Sequence, residues 1–215
     1  MYHAILFDLD GTLTDSGEGI IKSVQYALEK MGRPEDHPEK LRCFVGPPLK
    51  SQFMLYAGFS DEEAQEAVRL YRERYVPVGI YENEVYSGIP EMLQALRAKG
   101  YRLAVASSKP EVMVRQVLDR FALSGYFEVM VGSRLDGTLS TKPEVIEEAL
   151  RRMGLDGHRE QVIMVGDTHY DVEGAKQASL SCIAVTYGYD DPALLSASGP
   201  EYTASSPRQI LDFFS

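Results

Sequence analysis

Ala4-Ile5-Leu6-Phe7-Asp8-Leu9-Asp10-Gly11-Thr12 is the stretch on which the reading of this chain turns. Four apolar residues in a row, without alternation, read as a strand buried on both faces. Two carboxylates follow at i and i+2, a spacing that puts both on one side of an extended chain. Like charges that close disfavour joint ionisation. A strand end tolerates such a pair chiefly for a metal ion or for acid–base chemistry. Gly11 then allows a sharp turn and a close backbone approach by a ligand.

Four more segments share this character: Leu103–Ala106, Val129–Val131, Val162–Val165 and Ile183–Val185. Helical stripes alternate with them. Val114, Val117, Leu118 and Phe121 form one, and Val145, Ile146, Ala149, Leu150 and Met153 another; Gly100 and Gly154 stand where C-caps belong. Alternating strands and helices predict an α/β fold, a doubly wound (Rossmann-like) parallel sheet with helices on both faces. Residues 16–86 break the alternation. They show only helical stripes, with Asp15-x-x-Glu18 and Ser60-x-x-Glu63 as candidate capping boxes. The expected organisation is therefore a core of residues 1–15 and 87–215, with a small all-helical cap, 16–86, inserted after the first motif. Gly17 and Gly19 at one junction and Ser87-Gly88-Ile89-Pro90 at the other are candidate hinges.

The chain has 215 residues, 44% hydrophobic and 25% charged, as globular proteins do. No apolar run approaches the roughly 20 residues of a membrane helix. The first residues lack the basic stretch of a secretory signal. Cys43 and Cys182 make no disulfide framework and read as reduced packing residues, which suits a cytoplasmic setting. A net charge of -10 argues against a nucleic-acid polymer as partner. It also means that an anionic substrate needs local cations in its site.

Polar residues end several predicted strands. Asp8 ends the first, Ser107 the second, and Gly166-Asp167 the fourth, with Asp171 four residues beyond. Ligands of open parallel sheets sit outside the carboxyl ends of the strands, so these groups meet at one rim. Lys142 precedes Pro143 at a helix start, where the helix dipole is already positive. An anion between lysine and helix would reverse that penalty.

In this order, Asp8-x-Asp10-Gly11-Thr12, Ser107, Lys142 and Gly166-Asp167-x-x-x-Asp171 resemble the four motifs of the haloacid dehalogenase-like phosphohydrolases. The resemblance covers essentially the whole chain and extends to the subfamily with a helical cap. Gly46-Pro47-Pro48-Leu49 looks like the cap loop of phosphoglycolate phosphatases and similar bacterial 5′-nucleotidases. Ser107-Ser108 stands where many relatives have Thr-Asn, and Val145 where many have a second proline.

The resemblance implies hydrolysis of a small phosphorylated metabolite. Asp8 is the nucleophile and Asp10 the general acid and base, oriented by Thr12. Mg²⁺ is held by Asp8, the Asp10 backbone carbonyl and Asp167, with Asp171 at the metal-bound water or, alternatively, only capping a helix. Ser107, Lys142 and backbone N–H groups near Leu9 and Ser108 hold the phosphoryl oxygens. Arg42 and Lys50 flank the Gly-Pro-Pro turn, facing either the far end of a substrate or water. Lys109 is open between phosphate and solvent, and His169 between the metal and solvent. A phosphomutase of the same superfamily would carry a histidine where Ile20 stands. A receiver-type phosphoaspartyl or binding protein would place its acceptor after Val129–Val131, where Gly132 stands instead.

Overall fold

The computed structural model describes residues 2–215. β1 (Ala4–Phe7) runs through the centre of the molecule, all four residues buried. The chain turns through β2 (Thr14–Asp15) into α1 (Gly17–Lys30), a 3-10 turn (Pro38–Phe44), α2 (Leu49–Ala57) and α3 (Asp61–Tyr75). β3 (Glu84–Val85) then pairs antiparallel with β2, so the way into the helical segment and the way out lie side by side. There follow α4 (Ile89–Ala98), β4 (Arg102–Pro110), α5 (Glu111–Arg120), β5 (Val129–Ser133), α6 (Lys142–Met153), β6 (Val162–Gly166), α7 (His169–Gln177), β7 (Ser181–Val185), α8 (Pro192–Ala197), β8 (Tyr202–Ala204) and α9 (Pro207–Phe213).

The main sheet has six strands in the order β5-β4-β1-β6-β7-β8, and every neighbouring pair is parallel. Side chains of β1 alternate between two apolar layers. Ile5 and Phe7 join the layer of α4, α5 and α9, and Ala4 and Leu6 that of α6, α7 and α8. This is the doubly wound fold that the buried runs predict. Register then places the site. Phe7 pairs with Val105 on one side and Val165 on the other, so Asp8, Ser107 and Asp167 emerge close together at one edge.

Three details differ from the sequence reading. β8 is a sixth strand that the apolar pattern missed, because it lies at the sheet edge with two of its three residues exposed. β3 adds a strand inside the stretch expected to hold only helices. Asp15-x-x-Glu18 is not a capping box: the N-cap is Ser16, without a side-chain bond, and Glu18 pairs with Lys22. Ser60 and Glu63 do form the reciprocal box expected at the start of α3.

α1 packs on the chain that follows α3 with almost no clearance. A Cβ on Gly19 would stand 1.9 Å from the carbonyl oxygen of Gly79. Gly19→Ala forces these backbones apart and should cost about 1–3 kcal/mol, the usual range for overpacking. Urea unfolding of the variant measures it, and an unchanged midpoint would contradict the packing described.

Candidate active site

The loop after β1 is drawn tight by its own backbone. The Leu9 carbonyl accepts from the N–H groups of Thr12, Leu13 and Thr14, and Gly11 N–H donates to the Thr14 carbonyl at 2.8 Å. Gly11 turns at φ +84°, and a Cβ there would lie 2.2 Å from the Asp167 carboxylate. At this glycine the Asp167 carboxylate approaches the backbone too closely for any side chain.

Asp8, Asp167 and Asp171 each present an oxygen within 4.8 Å of the others, and all three are buried. Lys142, from the first turn of α6, reaches Asp8 Oδ1 at 2.9 Å and Asp171 Oδ1 at 2.7 Å. The anion that offsets a lysine at a helix N-terminus is therefore supplied by two of the chain's own carboxylates. Its ammonium also donates to the Ala106 carbonyl at 3.2 Å, and the two carboxylate oxygens it faces have no other partner among the described residues.

Asp167 is held on both oxygens. Thr12 Oγ1 donates to Oδ1 at 3.0 Å, and Tyr189 N–H donates to Oδ2 at 2.9 Å. Thr12 thus positions Asp167, not Asp10 as expected. Asp171 is not the N-cap of α7. That residue is Thr168, whose side chain and N–H bond the other oxygen of Asp171 in a capping box.

Asp10 meets Lys109, whose ammonium lies 2.9 and 2.8 Å from its two carboxylate oxygens. Lys109 is only 8% exposed, so it is not a solvated surface lysine; it lines the cavity above Asp10, with Asp10 as its partner. Sequence left it open because nothing in a lone lysine names its partner; its place at the end of β4 was the available signal. Ser107 is buried, and its Oγ accepts from Lys109 N–H at 3.3 Å, which leaves its own proton to donate.

Above Asp10, a cavity of about 140 Å³ opens between the helical segment and the sheet edge. Ile20, Phe44, Tyr71, Arg72 and Tyr75 line one side, and Ser108, Met113 and Arg134 the other. Lys50 also lines it but is paired with Asp61 at 2.5 Å. Arg42 is not among the lining residues. It lies over the Tyr189 ring, 5.2 Å from the centroid, with Nη2 3.5 Å from the Gly188 carbonyl. His169 is turned toward Asp190, at 2.9 Å.

Burial decides the acid–base state of the cluster. It pushes Asp8 up from the ordinary 3.8 to about 6; Lys142 opposes the shift and Asp171 adds to it. Burial also raises Asp167 well above the usual range, helped by the charges of Asp171 and Asp8. Lys142 is held above its ordinary value by Asp171 and Asp8, against the effect of burial.

Paired acidic groups, a fixed lysine and a hydroxyl at the carboxyl ends of parallel strands define a hydrolase site of the phosphoryl-transfer kind. The profile of the haloacid dehalogenase-like hydrolases matches residues 5–185. The chain belongs to that family. It is 44% identical over 214 residues to a 5′-nucleotidase of Pseudomonas aeruginosa, covering 98% of this chain and 96% of the relative. It is 32% identical to a phosphoglycolate phosphatase of Aquifex aeolicus, covering 96% of this chain and 94% of the relative. The crystal structure of a predicted phosphatase from Clostridium acetobutylicum superposes with a TM-score of 0.96 at 43% identity, over 100% of this chain and 98% of the other. These names agree with the phosphoric monoester hydrolase class that the motifs imply.

A pH dependence follows from the raised carboxyls. Between about pH 4 and 6 the folded metal-free protein keeps protons that the unfolded chain has already released. The contribution of Asp8 is complete below about pH 4 and lost as pH rises through about 6, and that of Asp167 is lost as pH rises through its own raised value. A divalent cation held by the Asp8, Asp167 and Asp171 cluster would compete for the same oxygens, so its stabilising effect would grow over that range. Thermal unfolding at pH 4.5 and 7.5, with and without added divalent cation, should show the larger rise in Tm at the higher pH. An equal rise at both would contradict the burial described.

Proposed function

We propose that this chain is a Mg²⁺-dependent phosphatase that hydrolyses a small phosphomonoester through a phosphorylated Asp8. The convergence of Asp8, Asp167, Asp171 and Lys142 carries this reading. One lysine among three carboxylates leaves the cluster short of positive charge. Asp8 Oδ1 and Asp171 Oδ1, both buried, share that single ammonium and have no other partner among the described residues. A hard, oxygen-ligated cation fits that donor set, and Mg²⁺ is the natural occupant. Asp8, Asp167 and the Asp10 backbone carbonyl would hold it, with Asp171 beside them. When bound, it supplies positive charge to the phosphoryl oxygens.

The remaining work falls to the chain. Two unit charges about 4 Å apart repel by about 4 kcal/mol at an effective dielectric of 20, so Asp8 meets a phosphate dianion only among fixed cations. Lys142, already beside Asp8, is placed to draw a phosphoryl oxygen toward it. Ser107 donates its free hydroxyl proton to another, and the N–H groups of Leu9 and Ser108 complete the cradle. Asp8 attacks phosphorus, and the ester oxygen leaves with a proton from Asp10. Asp10 then takes a proton from water, which attacks the phosphorylated Asp8 and frees it. Lys109 holds Asp10 aimed at the cavity until a phosphate competes for its ammonium.

Residues 16–86 act as a cap that opens for exchange and closes before chemistry. The phosphomutase reading finds no support: Ile20 lines the cavity, where it offers no group to pass a proton. The cap loop and the relatives' names support phosphoglycolate and nucleoside 5′-monophosphates as candidate esters. No helix among the described residues is long and apolar enough to cross a membrane. Both cysteines are free, which fits a cytoplasmic setting; Cys43 is exposed rather than packed, as the sequence had suggested.

Phosphate release across nucleotides, phosphoglycolate and sugar phosphates should depend on Mg²⁺ and stop on chelation. Asp8→Asn keeps the fold and should lose about a thousandfold or more of turnover, as removal of a nucleophile does. A folded, active Asp8→Asn protein ends the assignment.

A further inference from the structure

We propose that Arg72 determines specificity by binding a carboxylate on the leaving-group half of the substrate, with the Tyr75 hydroxyl beside it. The inference rests on the phosphatase reading and narrows it to a short phosphorylated hydroxy acid.

α3 carries three arginines, and two have acidic partners. Arg69 pairs with Glu66 at 2.7 Å and Glu73 at 3.3 Å, and Arg74 with Glu82 at 2.9 Å. Arg72 has no salt-bridge or side-chain hydrogen-bond partner among the described residues, yet it is half-buried and lines the cavity above Asp10. Burial lowers its pKa with no carboxylate to oppose the shift. An arginine partly desolvated without a partner carries a cost that an incoming anion removes, and its planar fork matches a carboxylate.

Val68, Tyr71, Arg72 and Tyr75 lie at i, i+3, i+4 and i+7, so one face of the helix roofs the cavity. The second observation is Tyr75. It is 1% exposed and lines the same cavity; its hydroxyl lies beside the Lys109 ammonium, itself a donor, so the hydroxyl's own proton has no acceptor among the described residues. Two unmatched donors thus sit one helical turn apart over the general acid. The reacting phosphate already has Lys142 and Ser107 below. A cavity of about 140 Å³ is small beside the roughly 300–1,000 Å³ of drug-sized sites, which favours a two- or three-carbon acid over a nucleoside.

The test measures binding and turnover separately. The probes are 3-phosphonopropionate, a non-hydrolysable mimic of phosphoglycolate, and propylphosphonate, which lacks the carboxylate. By calorimetry with Mg²⁺, the protein should bind the first about 10–100-fold more tightly, the value of one charge-assisted bond. Arg72→Gln should abolish most of that ratio and Arg72→Lys part of it. Tyr75→Phe, which removes only a hydroxyl, should reduce it a few-fold. With hydrolysable esters, Arg72→Gln should raise KM for phosphoglycolate and lower its kcat/KM relative to ethyl phosphate by the same factor. Equal binding of both probes, binding of neither, a ratio unchanged in Arg72→Gln, or higher kcat/KM for AMP than for phosphoglycolate overturns the proposal. Failure to release phosphate from any ester would instead overturn the phosphatase reading, which the binding ratio does not test.

Discussion

Three buried carboxylates within 4.8 Å of one another should not be stable, and the rest of the site is built around that fact. Isolated ions in a protein interior cost several kcal/mol each unless paired. Lys142 offsets part of the charge, while burial, with the neighbouring carboxylates adding to it, holds Asp8 and Asp167 above the ordinary carboxylate range. The fold tolerates the residue of repulsion because rigid elements hold each group. Asp8 continues the central strand, Asp167 follows its neighbour, and Asp171 is locked into the first turn of α7. A site held apart from its own relaxation is prepared for positive charge before any arrives.

The same constraint reaches the junction with the helical segment. Tyr189 N–H holds Asp167, while the Tyr189 hydroxyl donates to Asp15 and accepts from Gly17 N–H. Arg42, from the 3-10 turn before the Gly-Pro-Pro loop, lies over the same ring. Tyr187 donates to the Thr12 carbonyl, and Thr12 holds the other oxygen of Asp167. One carboxylate is therefore oriented by groups that also contact both sides of the β2–β3 crossing. Displacement of the helical segment cannot leave Asp167 wholly undisturbed.

Much of this was legible in the chain, for definite reasons. Strands buried on both faces announce themselves as unbroken apolar runs, which is why β1 and β4 to β7 were readable. β8 was not, because Tyr-Thr-Ala at an exposed edge lacks that signature. The acidic residues were readable from their position after strands. Their partners were not. Thr12 stands two residues from Asp10 in sequence but bonds a carboxylate 155 residues away. Lys109 and Arg72 look alike as isolated cations; only packing shows that one is clamped by Asp10 and the other has no counter-charge.

That contrast bears on how an acidic protein handles an anionic substrate. A net charge of -10 sets a repulsive mean field, so attraction has to be local. Most cations near the cavity are already committed: Lys142 to Asp8 and Asp171, Lys109 to Asp10, Lys50 to Asp61. Committed cations fix geometry but draw little from a distance, because their fields are cancelled by the carboxylates beside them. Arg72 and the exposed Arg134 lack salt-bridge partners among the described residues, and they line the cavity from the helical segment and from the sheet edge respectively. Attraction and chemistry are in this way assigned to different cations. On the proposed phosphatase reading, the unmatched pair at the rim would supply the pull, and the matched lysines below would hold the phosphate once it has come within their short reach.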